Sequence, residues 1–357
     1  MKAGAFQFIF LMLVFLLPPP TRAATPTDEQ FYDGHFHLTN YVQEGPDIRA
    51  YLKLMGDRVG RSTLFGLPLQ QQWSYRLTGD VAPTYYLETD APLYYYSFND
   101  AMIAHEYLSL TPKEQARFDP MITGFNPTDM YAADHIRRVL LMYPGVFSGI
   151  GEFTIHKEFV SSKIAGEVAS LTDPALDRIL DFAAEAGLVV LIHNDIHTPF
   201  PKEDARMYQY TQLVELFRRH PKTTIIWAHL GLGRVVGPPE NMVGLITRIL
   251  EDPKLKHVHF DISWEELAKY LNSTPETPRR VAHVINQYPE RFLFGTDEVA
   301  STDASEHYRI VELYGPLWAE LTPEASELLR KGNYARLFDG ARKKVRAWEK
   351  ANAANGN

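Results

Sequence analysis

Six side chains of the types that hold divalent metals stand at matching places in this sequence. His35 and His37 lie two apart in Asp33-Gly-His-Phe-His, and in a strand that spacing turns both imidazoles to one face. Glu152 follows Gly149-Ile-Gly, His193 closes Val189-Val-Leu-Ile-His, His229 closes Ile225-Ile-Trp-Ala-His, and Asp297 follows Phe292-Leu-Phe-Gly-Thr. Each is the first strongly coordinating residue after an apolar run. Taken alone, each has an ordinary structural reading: a strand-end histidine with satisfied hydrogen bonds, a glutamate paired with an arginine, or a Gly-Thr-Asp turn. Together they supply four imidazoles and two carboxylates. That is too many for one open catalytic site, in which three protein ligands leave a position for water. It suits two ions about 3.5–4 Å apart that share a bridging carboxylate, an arrangement that activates water near neutral pH and polarises a carbonyl or phosphoryl oxygen.

Such a site needs elements that bring distant strand ends together. Eight apolar runs read as strands: Gln30–His37, Ser62–Pro68, Pro120–Phe125, Val146–Phe153, Leu188–His193, Thr224–His229, His257–Ile262 and Arg291–Thr296. Between them lie amphipathic stretches such as Met130–Met142, Asp173–Ala186, Asp204–His220, Met242–Glu251 and Pro278–Tyr288. In the second of these Leu176, Ile179, Leu180 and Ala183 repeat at helical spacing. Asp173 followed by Pro174 starts that helix, and Gly187 ends it. Strands alternating with helices make a parallel α/β fold, and eight units favour a closed (β/α)8 TIM barrel over an open sheet. Catalytic residues of such barrels gather at the C-terminal ends of the strands, which is where all six candidates fall. Residues 69–118 interrupt the alternation between the second and third strands. This insert is rich in tyrosine (Tyr75, Tyr85, Tyr86, Tyr94, Tyr95, Tyr96) and has one helical stretch near 99–110. It reads either as a small subdomain or as a cap over the barrel mouth. Extra C-terminal helices, about 322–350, are expected to pack outside the barrel.

Composition narrows the chemistry. The 357 residues are 45% hydrophobic and 22% charged, with no cysteine and a net charge of −8. That is ordinary globular composition. The lack of cysteine excludes disulfides, thiolate nucleophiles and Cys-built metal sites. The acidic balance speaks against a nucleic-acid partner, so a small-molecule substrate is expected. Residues 1–23 read as a signal peptide: Lys2, the apolar run Phe8–Leu17, a proline break and Thr21-Arg22-Ala23. Cleavage before Ala24 would leave 24–357 as a single domain with a net charge of −10. It would make the product exported, periplasmic or secreted, with no stable membrane insertion. Nothing in the sequence fixes an oligomeric state.

These motifs resemble the amidohydrolase superfamily, in particular its amidohydrolase 2 branch. The resemblance rests on Asp33-Gly-His-Phe-His, the strand ending at His193, Ala228-His-Leu-Gly, Phe260-Asp-Ile-Ser-Trp, Leu293-Phe-Gly-Thr-Asp and Gly332-Asn-Tyr-Ala-Arg-Leu-Phe, and it covers about 30–340. It implies a distorted barrel with one or two divalent ions, zinc first, with manganese, nickel or iron possible. It also implies roles. His35, His37 and Asp297 would hold one ion, His193 and His229 the other, and Glu152 would bridge them, as in TatD-type deoxyribonucleases. Many superfamily members bridge with a carboxylated lysine, but Lys157 stands five residues too late. Asp297 would move the proton in hydrolysis of an amide, lactone or ester. The alternative implied by the branch is a one-ion, non-oxidative decarboxylase of an aromatic or unsaturated carboxylate. There His35, His37, His193 and Asp297 would be ligands, and His229 the acid–base group. Three further residues lie near the expected mouth: His156 and Trp264 as substrate or supporting groups, and Asp261 as a support for His229 or a helix cap.

Overall fold

A computed structural model describes residues 29–69, 75–81, 95–158, 169–200 and 207–353. The expected signal peptide lies outside these residues, as do Tyr85, Tyr86 and Tyr94 of the insert. Ten strands occur in the described residues: β1 Phe31–Asp33, β2 Phe36–His37, β3 Val59–Leu64, β4 Phe118–Ile122, β5 Gly149–His156, β6 Val189–Asn194, β7 Thr224–Trp227, β8 Val258–Ile262, β9 Phe292–Phe294 and β10 Glu298–Val299. β1 and β3 through β9 form one parallel sheet in that order. Its edges meet where the Gly34 N–H donates to the Phe294 carbonyl at 2.9 Å. Eight parallel strands with helices between them thus make a nearly closed TIM barrel, as expected.

The first expected strand is not continuous. Asp33 Oδ1 accepts the His35 N–H at 3.1 Å, a local side-chain bond that takes this amide out of the ladder. The chain then resumes as β2, which pairs in parallel with β10 and keeps a single bridge, from His37 to Phe65, to the residue following β3. This short ribbon carries the chain from β1 across the mouth, with the Asp297 N–H donating to the His35 carbonyl at 2.8 Å. Gly295 permits the crossing, because a Cβ there would lie 2.7 Å from the His35 backbone nitrogen.

The helices follow from pattern and caps. Pro174–Ala186 begins at Asp173, which accepts from the Ala175 N–H, and ends at Gly187 in the left-handed conformation, φ 81°. Its stripe of Leu176, Ile179, Leu180 and Ala183 is fully buried, and each large aliphatic contributes roughly 1.5–3 kcal/mol on burial. The helical stretch of the insert forms over Phe98–Leu108. Its buried Asp100 accepts the N–H groups of Thr123 and Gly124 at 2.8 and 3.0 Å, tying the insert to the end of β4.

The C-terminal helix, Asn333–Asn352, corrects one expectation. It does not pack only on the outside. Tyr334, Leu337, Phe338 and Ala341 lie on one stripe and join the inward-facing Met121, Val189, Leu191, Ile226 and Leu293 in one apolar cluster. The helix meets the N-terminal strand ends: Asn333 donates to Phe292 O at 2.8 Å, and Arg346 donates to Phe147 O at 2.9 Å. It therefore plugs the barrel floor, opposite the mouth. No helix among the described residues is long and apolar enough to cross a membrane.

The Asp100 clamp gives a test. Burial raises its carboxyl to about 7. The folded state then keeps a proton that the unfolded chain has lost above pH 4, so this group's contribution falls as pH rises from about 4 to 7 and is flat above that. Asp100→Ala strands two buried N–H groups and should lower the unfolding free energy by about 2–4 kcal/mol. Asp100→Asn keeps an acceptor and should lose less than half of that. In urea unfolding at pH 5 and pH 8, wild type should lose stability relative to Asp100→Asn at the higher pH.

Candidate metal centre

Glu152, His229 and Asp297 reach the mouth by local departures from regular backbone, whereas His193 lies within the regular strand β6. Glu152 lies within β5, which continues to His156, and not at a strand end as expected. The register with β6 shifts between Ile150 and Phe153, so one extra residue bulges there and turns the carboxylate inward. Gly151 makes the bulge possible: its φ is 106°, and a Cβ would come within 2.0 Å of the Leu191 carbonyl oxygen. β7 stops at Trp227, two residues before His229, which takes φ 51° in the tight turn Ala228–Gly231. Asp297 follows β9 at φ 53°. Left-handed backbone at non-glycine residues is strained and concentrates at functional sites.

The structure brings all six candidates together in a buried cluster. Asp297 Oδ1 lies 3.1 Å from His35 Nε2 and 3.0 Å from His37 Nε2. Its Oδ2 is 3.5 Å from His229 Nε2. Glu152 divides its two oxygens. Oε2 faces His35 Nε2 at 3.8 Å and His37 Nε2 at 3.5 Å, while Oε1 faces His193 Nδ1 at 2.7 Å and His229 Nε2 at 3.6 Å. Among the described residues three sets of ligand atoms result: one from His35, His37, Glu152 and Asp297, one from Glu152, His193 and His229, and one from His35, His229 and Asp261 behind them. The first two share Glu152.

Three of the imidazoles have one ring nitrogen held from behind and the other turned into the cluster. His35 Nδ1 pairs with Asp261 Oδ2 at 2.6 Å, His193 Nε2 with Asp195 Oδ1 at 3.2 Å, and His229 Nδ1 with Ser263 Oγ at 2.8 Å. Ser263 Oγ in turn donates to Asp261 Oδ2 at 2.7 Å. Metal-binding histidines are oriented in this way. The inward nitrogens His35 Nε2 and His229 Nε2 are buried and make no hydrogen bond. Buried ring nitrogens left so, opposite carboxylate oxygens, fit a cation that their lone pairs would hold. This buried His, Glu and Asp cluster can bind metal.

At two of the rings the electrostatics agree with that chemistry. Burial lowers His37 to about 4 and also lowers His229, so both rings keep a free lone pair at neutral pH, the form that coordinates. Burial would lower His35 too, but the Asp297 and Asp261 carboxylates outweigh it and raise that ring well above its usual value. Burial would raise Asp297, yet the surrounding His35 and His229 hold it well below the usual carboxylate range.

The three outlying candidates divide. Asp261 is not a helix cap. It holds His35 directly and reaches His229 only through Ser263, its own Oδ2 being 3.9 Å from His229 Nδ1. Trp264 stands at the mouth with its ring 5.1 Å from that of His229, on strained backbone at φ 79°. His156 ends β5 outside the cluster. Sequence reasoning missed Asp195 and Ser263. Both lie two residues beyond a singled-out residue, His193 and Asp261, so reading on past the first ligand-type residue would have found them. It also passed over Asp33, whose carboxylate accepts Thr296 N–H at 2.9 Å and Thr296 Oγ–H at 2.6 Å, pinning β1 to the segment that carries Asp297.

Among curated proteins, no sequence matches this chain. Solved structures share its fold at low identity. A dihydroorotase from Campylobacter jejuni is 12% identical with a TM-score of 0.52, over 87% of this chain and 83% of that one. A 2,6-dihydroxybenzoate decarboxylase from Rhizobium is 14% identical with a TM-score of 0.51, over 87% and 99%. An amidohydrolase from Burkholderia multivorans with bound zinc has the same identity, TM-score and coverage. An amidohydrolase family model matches residues 32–340, and the chain is an enzyme of the amidohydrolase family.

Proposed function

We propose that this enzyme is a metal-dependent hydrolase that splits an amide, lactone or ester bond of a small organic substrate. The observation that carries the reading is the divided glutamate, with Oε2 towards His35 and His37 and Oε1 towards His193 and His229. A one-ion site has no evident use for a carboxylate so shared, whereas in a two-ion site it can bridge both ions. In this reading His35, His37 and Asp297 hold one divalent ion and His193 and His229 the other, with zinc the first candidate and manganese, nickel or iron compatible with the same nitrogen and oxygen donors. Bound divalent ions would lower the pKa of a water towards neutrality and polarise the scissile carbonyl.

The chain's own residues do the rest. Asp297 stays ionised among the imidazoles, so its carboxylate accepts a proton from water and returns it to the leaving group. His229 keeps its Nε2 in the cluster because Ser263 occupies Nδ1. Asp261 and Asp195 fix the tautomers of His35 and His193 and keep their inward nitrogens aimed.

Reconstituted with zinc or manganese, the protein should hydrolyse simple lactones or activated esters, followed by pH-stat or chromophore release. Absence of hydrolysis together with carbon dioxide release from aromatic carboxylates would replace this reading with decarboxylation. Asp261→Asn and Asp195→Asn should each weaken metal binding by about 10–100-fold in competition with a chromophoric chelator. Unchanged affinity in both would remove the orienting role assigned to these carboxylates.

A further inference from the structure

Lys157 is the first residue after β5 and belongs to none of the sets of ligand atoms. Its position is fixed from two sides. Asp195 tethers the strand end: its N–H donates to His156 O at 2.8 Å, and its Oδ2 accepts the Glu158 N–H. The same carboxylate holds His193. On the other side, Lys157 Nζ stands 4.7 Å above the Trp264 ring, which itself packs 5.1 Å from His229. The ammonium is thus delivered to the mouth beside the cluster.

What it lacks among the described residues is an ion-pair partner. Lys157 is partly buried, and it feels Glu152, Tyr41, Asp297 and Asp195. Those carboxylates are committed to imidazoles at 2.7 to 3.2 Å, and among the described residues none forms an ion pair with Lys157. An aromatic face replaces only part of the hydration that a lysine loses on burial. Arg234 differs. It lies 5.7 Å from the same ring, but it is exposed and pairs with Glu266 at 3.7 Å. Bound cations would occupy the Glu152 and Asp297 oxygens.

We propose that Lys157 anchors an anionic group of the substrate, a carboxylate separate from the bond that is cleaved, and that Trp264 and Asp195 hold the ammonium in place for it. The bond cleaved rests on the hydrolase reading; the anion site does not. Calorimetric titration of the zinc-reconstituted protein with glutarate and with butyrate tests it, since both offer one carboxylate to a metal and only glutarate offers a second. Wild type should bind glutarate at least about tenfold more tightly, the scale of one charge-assisted contact. In Lys157→Gln and Lys157→Met the ratio should fall below about threefold, and Lys157→Arg should recover part of it. Circular dichroism and metal content identify any variant that fails to fold, and the remaining one carries the comparison. A wild-type ratio below threefold, or an unchanged ratio in a folded neutral variant, overturns the proposal. A lysine-dependent preference without any hydrolysis sinks the hydrolase reading and keeps the anion site. Hydrolysis without the preference does the reverse.

Discussion

The constraint on which this structure turns is the burial of Glu152 and Asp297 side by side with four imidazoles. Removing an ionised carboxylate from water costs several kcal/mol even after the protein relaxes. The imidazoles offset this only in part, because His37 and His229 are themselves pushed towards their neutral forms by burial. Two buried anions beside the neutral lone pairs of His37 and His229 make a place that favours divalent cations. The orienting groups Asp261, Ser263 and Asp195 are the second expense of the same design. Each fills the outward nitrogen of one ring, so the inward nitrogen cannot turn away and find a partner elsewhere.

The backbone around the cluster bears the strain that this convergence demands. Glu152 enters on a bulge that only glycine at 151 allows. His229, Trp264 and Asp297 all adopt left-handed conformations without being glycine. Rigid elements hold them there. The Trp264 carbonyl accepts from Tyr314 Oη at 2.8 Å, and its N–H donates to Thr296 O at 3.2 Å. Asp33 clamps Thr296 from below. The floor plug formed by the C-terminal helix fills the opposite end of the barrel, so the interior is packed and the mouth is the face left for chemistry.

Much of this was legible in the sequence because it depends on periodicity and on residue type. Alternating strands and helices give the barrel, Asp173-Pro174 and Gly187 give one helix's limits, and the four histidines and two carboxylates follow apolar runs that become strands. The illegible parts are those in which long-range geometry overrides local pattern. Nothing local ends β1 at Asp33 except a side-chain bond to His35 that competes with the sheet. Nothing local places Glu152 inside β5 at a bulge, or stops β7 before His229. The stripe of the C-terminal helix predicts burial, but not that the partner is the barrel floor. Lys157, passed over as too distant to bridge metals, gains its interest only from being set against Trp264.

If Glu152 serves two cation sites at once, metal stoichiometry shows it. Elemental analysis of the protein saturated with zinc and freed of excess ion should give about two ions per chain, as a two-metal centre requires. Glu152→Ala should retain fewer than two, because each of the two sets of ligand atoms that share it loses an oxygen. One ion per chain in the wild type, retained undiminished in Glu152→Ala, would contradict the account.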